Sequence, residues 1–264
     1  MPIDPEVVWS GGGGFNHSGN GTFYDDLAVC PAGLITNNAV LVAIMCDQFG
    51  VFTTVNNFYR SVLAVLPDGD TIELPFSGAE NWGSPNGGQY RFALHHSRFN
   101  EGFTLRSKVS VVTVIGNPDV KLGVVFAALL DLVTVPGKGL SIYNDGGHFG
   151  TELTINVGFA TDHYPSLGVT MLGKANAGTL TLDPDGTPPG SNPGWNIIGQ
   201  LSAQGATAGL GTFRPAAPGT PPWNGTWHSS TSGINTGRQL GFWDATLPPL
   251  VPLARGGSSV QFVG

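Results

Sequence analysis

The residues able to do chemistry are few and scattered. His95 and His96 are adjacent, so on a strand they face opposite sides and cannot share one metal ion. His148 follows Asp145, and His163 follows Asp162; each could serve as a general base or a ligand. None of these four has a second histidine two or four residues away on the same face, and no HxH, HExxH or CxxC motif occurs. The expectation is therefore no metal and no cofactor, with each imidazole bonded to a nearby carboxylate in a loop. Four acids, Asp131, Asp145, Glu152 and Asp162, are the candidates for glycoside hydrolysis, which places two carboxyl groups across a groove. Asp131 and Glu152 also fit strand ends, and spacing alone does not bring any two of the four together. Asp183 and Asp185 in "LDPDGT" share the spacing of a calcium loop, but the ligands that should follow are missing, so a plain turn is expected.

Nucleophiles are no better placed. There is no GxSxG elbow. The glycine run from Gly11 to Gly14 resembles a phosphate cradle in composition alone, because no Gly-Lys-Ser follows it. Cys30 and Cys46 stand in no metal-ligand pattern, and two buried free thiols are expected rather than a disulfide. No catalytic residue is assigned, and the chain reads as a non-enzyme.

Binding has a stronger signal. Trp195, Trp223 and Trp227 lie in Gly/Pro-rich stretches, "PDGTPPGSNPGWN" and "RPAAPGTPPWNGTWHSSTSG". An exposed indole offers a flat apolar face to a sugar or a protein, so these three are the candidate contacts with a ligand or partner. The competing reading tucks them under their own loops as small satellite cores.

The elements that would carry these residues are strands. "YRSVLAVLPDGDTIELPF" reads as a hairpin, with Pro67-Asp68-Gly69-Asp70 as its turn. "TELTINVGF" alternates Leu153, Ile155, Val157 and Phe159 against Thr154, Asn156 and Gly158, the period of a strand with one wet face. "NAVLVAIMC", "QYRFALHH", "GTLTLD", "WNIIGQLSA" and "RQLGFWDA" are further strands. "KVSVVTVIGNPDVKLGVVFAALLDLV" is the most apolar stretch. Its uncharged run Leu122–Leu130 is too short to cross a bilayer, which takes ~20 apolar residues. With turn chemistry at Asn117-Pro118-Asp119, it is expected to be a core hairpin. Helical signals are thin, so the expected fold is all-β: an antiparallel β-sandwich or jelly roll with long Gly/Pro-rich loops. One sandwich domain is expected over 29–264, with long loops near 183–198 and 214–237. Residues 1–28 read as an extended, glycine-dense N-terminal arm. Its aromatic residues Trp9, Phe15, Phe23 and Tyr24 would anchor it on neighbouring subunits.

Composition narrows the partners. Charged residues are 11% of the 264, against ~25% in a typical soluble domain. Apolar residues stand at 41%, enough to fill a core and too many for a disordered chain. The formal charge is −7, and no basic run exists, so no nucleic-acid partner is expected. Low charge fits either a loop-rich β protein with a Ser/Thr/Asn/Gly cover or a subunit whose surface lies against neighbours. The N-terminus lacks a basic start and an apolar run, so it is not read as a secretory signal.

Taken together, the strand "NAVLVAIMC", the stretch "SKVSVVTVIGNPDVKLGVVFAALLDLV", the uncharged Gly/Pro-rich last third and "LGFWDATLPPLVPL" resemble the minor tail proteins of actinobacterial phages, in particular their jelly-roll β-sandwich type. The resemblance covers roughly residues 30–255 and is one of strand order, without a diagnostic motif. It implies a structural part of the virion, in the tail tip or baseplate, that contributes to assembly and to host-surface contact. Its partners would be other virion proteins, copies of itself and host cell-wall glycan, with no membrane insertion. It supplies no catalytic residues. The alternatives weighed against it are a carbohydrate-binding module using the loop tryptophans, a capsid decoration protein, and a β-sandwich glycoside hydrolase or lyase.

Overall fold

The computed structural model describes residues 6–18, 21–36, 38–49, 58–74, 76–82, 86–111, 120–132, 141–155, 165–183, 195–213 and 225–243. They form fifteen strands and one 3₁₀ helix, Ser97–Glu101. Every strand pairing is antiparallel. The fold is an all-β sandwich, as expected, and it has three sheets.

The first sheet takes β1 (Glu6–Ser18), β9 (Val120–Leu132), β3 (Asn38–Phe49), β7 (Asn86–His95) and β6 (Phe76–Trp82), in that order. The second takes β2 (Gly21–Cys30), β8 (Phe103–Val111), β4 (Phe58–Val65) and β5 (Thr71–Glu73). The third takes β10 (Ser141–Ile155), β15 (Gly225–Trp243), β11 (Pro165–Ala175), β14 (Ala206–Phe213) and β13 (Asn196–Ala203), with β12 (Leu180–Leu182) paired to β15.

The first sheet is the middle layer. On one face Leu41, Ala43 and Met45 of β3 and Val125, Ala127 and Leu129 of β9 join Val62, Ala64, Leu105 and Val109 of the second sheet. On the other face Val40, Val42, Ile44 and Cys46 of β3 and Val124, Phe126, Ala128 and Leu130 of β9 join Val169, Met171, Ala208 and Leu210 of the third. Alternate residues of a strand point to opposite faces, so a strand covered on both sides has no polar positions. That is why "NAVLVAIMC" and "LGVVFAALL" read as unbroken apolar runs.

This layering corrects the hairpin expected at 108–133. Both strands form, but β8 belongs to the second sheet and β9 to the first, so the chain passes between layers instead of pairing with itself. The turn residues Asn117-Pro118-Asp119 lie outside the described residues. The hairpin over 58–74 is as expected: Leu63 pairs with Glu73 and Val65 with Thr71, around Gly69 at φ +91°. A second tight hairpin joins β13 to β14, where Ala203 pairs with Ala206 and both turn residues, Gln204 and Gly205, have positive φ. That conformation matches the right-handed twist of the strands it links.

The arm is a second correction. Residues 6–18 form β1, which pairs with β9 of the same chain from Glu6↔Asp131 to Ser18↔Val120, and residues 21–30 form β2, which pairs with β8. Glycine is required in β1 because other layers press on it. A Cβ on Gly11 would meet Ala28 at 3.0 Å, and one on Gly13 would meet the Leu27 backbone at 3.1 Å, both from β2. On the other side a Cβ on Gly14 would meet Ala203 of β13 at 2.7 Å. The expected loop at 214–237 is corrected as well, since residues 225–237 belong to β15; residues 214–224 lie outside the described residues. Likewise Asn196 to Ile198, placed in the loop near 183–198, open β13.

Candidate functional site

Polar side chains from three strands converge in one place at the margin of the first two sheets. β1 carries His17, β2 carries Phe23 and Asp25, and β8 carries Ser107. The His17 ring lies flat on Phe23, with centroids 4.4 Å apart and planes 9° apart. Its Nε2 is 2.5 Å from Asp25 Oδ2, and the Ser107 hydroxyl donates to the same oxygen at 3.1 Å. Beside them the Arg106 Nε donates to Asp26 at 2.5 Å, and that hydrogen bond holds the Asp26 carboxyl below the usual carboxylate range.

Serine, histidine and aspartate together invite comparison with a nucleophilic triad, but the order is wrong. A triad places the imidazole between hydroxyl and carboxylate, so that it accepts the serine proton. Here the carboxylate is in the middle, and the Ser107 proton points at Asp25. The arrangement clasps β1 to the sheet beneath it and activates no nucleophile. No sequence motif announces it, because Ser107 stands 82 residues beyond Asp25 and His17 is on a different strand from either.

A second cluster closes the opposite end of the second sheet. Arg98, on the 3₁₀ helix, reaches Asp68 at 2.5 Å, Asp70 at 2.8 Å and Glu101 at 3.0 Å. Asp68 also accepts the Asp70 amide at 3.0 Å, and this bond, with Arg98 second, lowers its pKa. His96 caps the same helix by accepting the Arg98 amide at 3.2 Å. His96 thus has a structural bond, to a backbone amide where a carboxylate was expected.

The candidate acids are not brought together where they are described. Asp131 ends β9 in the middle sheet and accepts both the Thr36 amide, at 2.9 Å, and the Thr36 hydroxyl, at 2.6 Å. Glu152 is on β10 in the third sheet, exposed, with His228 Nδ1 at 3.5 Å. Backbone pairing places Asp145 opposite Gly237 and His148 opposite Asn235 on β10 and β15. Asp162 and His163 lie outside the described residues, as does Asp185. The Asp183 amide donates to the Thr226 carbonyl at 2.8 Å, which makes it the end of a strand. Among the described residues no three His, Cys, Asp or Glu side chains gather as a metal site, and no helix is long and apolar enough to cross a membrane. Cys30 and Cys46 are both buried and form no disulfide, and they lie in cores on opposite faces of the middle sheet. Burial pushes the Cys30 thiol up to about 12.

The tryptophan contacts are corrected. Trp195 and Trp227 are 2% and 0% exposed, inside a third core with Leu153, Leu172, Leu180 and Leu182. The Trp227 indole N–H donates to Thr170 Oγ1 at 3.0 Å, so its one polar atom is satisfied within the core. Neither indole offers a face to a ligand. Trp223 lies outside the described residues. Three of the proposed arm anchors are also turned inward. Phe15 is 2% exposed in the first core. Trp9 meets Phe103 edge-on at 5.4 Å and donates to the Val29 carbonyl at 3.1 Å. Phe23 carries the His17 ring. Tyr24 alone of the four is largely exposed, and Val29, on the same strand, is exposed with it.

One polar row was missed altogether. Ser202, Thr207, Lys174 and Asn235 lie directly across from one another on β13, β14, β11 and β15. The last three are buried, Lys174 completely. The sequence signal was Lys174 at the end of "GVTMLGKA", where period two puts it on the face of Thr170 and Leu172. Comparison of the chain with protein-family models, curated proteins and solved structures finds no match.

Proposed function

We propose that this chain is a structural subunit of a phage virion, in the tail tip or baseplate, as its resemblance to actinobacterial phage minor tail proteins implies. It assembles with other virion proteins and with copies of itself, and it performs no turnover. One observation carries the reading: the described groups able to do chemistry hold strands together. Asp131 ties Thr36 to β9, Asp25 ties His17 and Ser107, and Arg98 gathers three carboxylates. A subunit that bears load needs such clasps between layers. The sparse charge of the chain supports the same reading, because interface cores are depleted in Lys, Glu and Asp. Tyr24 and Val29, exposed together on β2, are the surface we assign to a neighbouring subunit.

The test is to purify the parent particle, detect this polypeptide in it by mass spectrometry, and locate its three-layered density by electron microscopy. Density at the tail tip is the expected result. Absence from the particle, or a monomer in solution that cleaves a glycan, would end the proposal.

A further inference from the structure

Lys174 and Asn235 face each other on neighbouring antiparallel strands, β11 and β15. Directly opposite residues of such a pair share a face, with Cβ atoms about 4.5–5.5 Å apart, within reach of a lysine side chain. Both are out of water, at 0% and 1% exposure. The Lys174 amine donates to the Thr231 carbonyl, on the same strand as Asn235. The Asn235 Nδ2 donates to the Gly150 carbonyl at 3.0 Å, while its buried Oδ1 has no hydrogen-bond partner. A buried cation answered by a neutral carbonyl is unfavourable, and burial lowers the pKa of Lys174. Burial favours the uncharged form of this amine, against a smaller opposing effect of Cys46; that form is a nucleophile, and the carboxamide carbon across the ladder is an electrophile.

We propose that Lys174 and Asn235 join in an intramolecular amide bond between β11 and β15. The Nζ lone pair attacks Cγ, the Nζ–Cγ bond forms and the Cγ–Nδ2 bond breaks. A proton passes from Nζ to Nδ2, which leaves as ammonia. Nothing is oxidised or reduced, and no co-reactant is consumed. The product removes the ionisable group from the interior and fastens the third sheet covalently.

The experiment is the intact mass of the full chain under denaturing conditions. The expected mass lies about 17 Da, one ammonia, below that of the sequence. Digestion should give a branched peptide joining the segments that hold Lys174 and Asn235, with no tryptic cleavage after Lys174. Lys174→Met and Asn235→Ala should each restore the full mass. A wild-type mass equal to that of the sequence overturns the proposal without any variant having to fold. So does a deficit that persists in Lys174→Met, which would assign the lost ammonia to an asparagine–glycine succinimide elsewhere.

Discussion

Replacing Gly12 with alanine separates two pictures of the glycine run by the sign of its effect. In a flexible linker, Gly→Ala reduces the freedom of the unfolded chain and stabilises by about 0.4–1 kcal/mol. In β1, Gly12 pairs with Phe126 of β9, and a Cβ there would stand 2.0 Å from the Val125 carbonyl oxygen and 3.0 Å from Phe126 Cα. Atoms in comfortable contact stand about 3.5 Å apart, so β1 and β9 must part by roughly 1.5 Å. The obstacle is backbone, which has no rotamer to turn aside. Overpacking of this kind costs about 1–3 kcal/mol, and each ladder hydrogen bond stretched beyond use adds about 1 kcal/mol. The expected loss is about 3 kcal/mol, read as a lower urea midpoint at unchanged slope. Gly150→Ala is the control: its φ is unrestricted and its nearest neighbour would be 3.9 Å away, so it should be neutral within about 0.5 kcal/mol. A Gly12→Ala protein as stable as wild type would refute the close approach of β1 to β9.

Three further outcomes follow from other sites. The Cys30 thiol titrates near 12 in the fold and near its ordinary value of 9.0 when unfolded, so the native state holds the extra proton between those values. Stability should therefore be constant below pH ~9 and fall towards pH ~12, by about 3 kcal/mol at pH ~11, with the fall reduced in Cys30→Ala on the same urea titration. Trp227→Ala empties the middle of the third core and should cost about 3–5 kcal/mol by thermal or urea unfolding, whereas an exposed sugar-stacking indole would change stability by under about 0.5 kcal/mol. Asp131→Ala removes the acceptor of the Thr36 amide and hydroxyl; a loss of about 1–3 kcal/mol is expected, and hydrogen exchange at the Thr36 amide should accelerate.

How much of this was legible depended on whether side chains carried the signal. The β4–β5 hairpin could be read from Pro67 and Gly69, and β3 from its apolar run. The strand β1 could not, because four glycines leave no periodicity to count; what specifies it is the bulk of Leu27, Ala28 and Ala203 on other strands. The partners of β8 and β9 were equally hidden. Turn residues mark a reversal without saying whether the chain returns to its own sheet or crosses to the next. The apolar residues on both faces of β9 did hold the answer, since a strand in a two-sheet sandwich keeps one face for water. Trp195 and Trp227 looked loop-borne because glycine and proline crowd the residues before them. The clasp of His17, Asp25 and Ser107 needs three strands already in place before its spacing means anything.

The position of β1 has a consequence for synthesis. Gly12 leaves the ribosome long before Phe126, its opposite number, and at about 5–20 residues per second the wait is on the order of 5–20 s. An unpartnered strand is a hazard in that interval when it carries a hydrophobic face that another nascent chain can seize. The four glycines at the centre of β1 offer no side chain to be seized, which confines the apolar surface of the waiting strand to Val7, Val8 and Trp9 before them and Phe15 after. The residues that let neighbouring layers close upon this strand also keep its middle inconspicuous until β9 arrives.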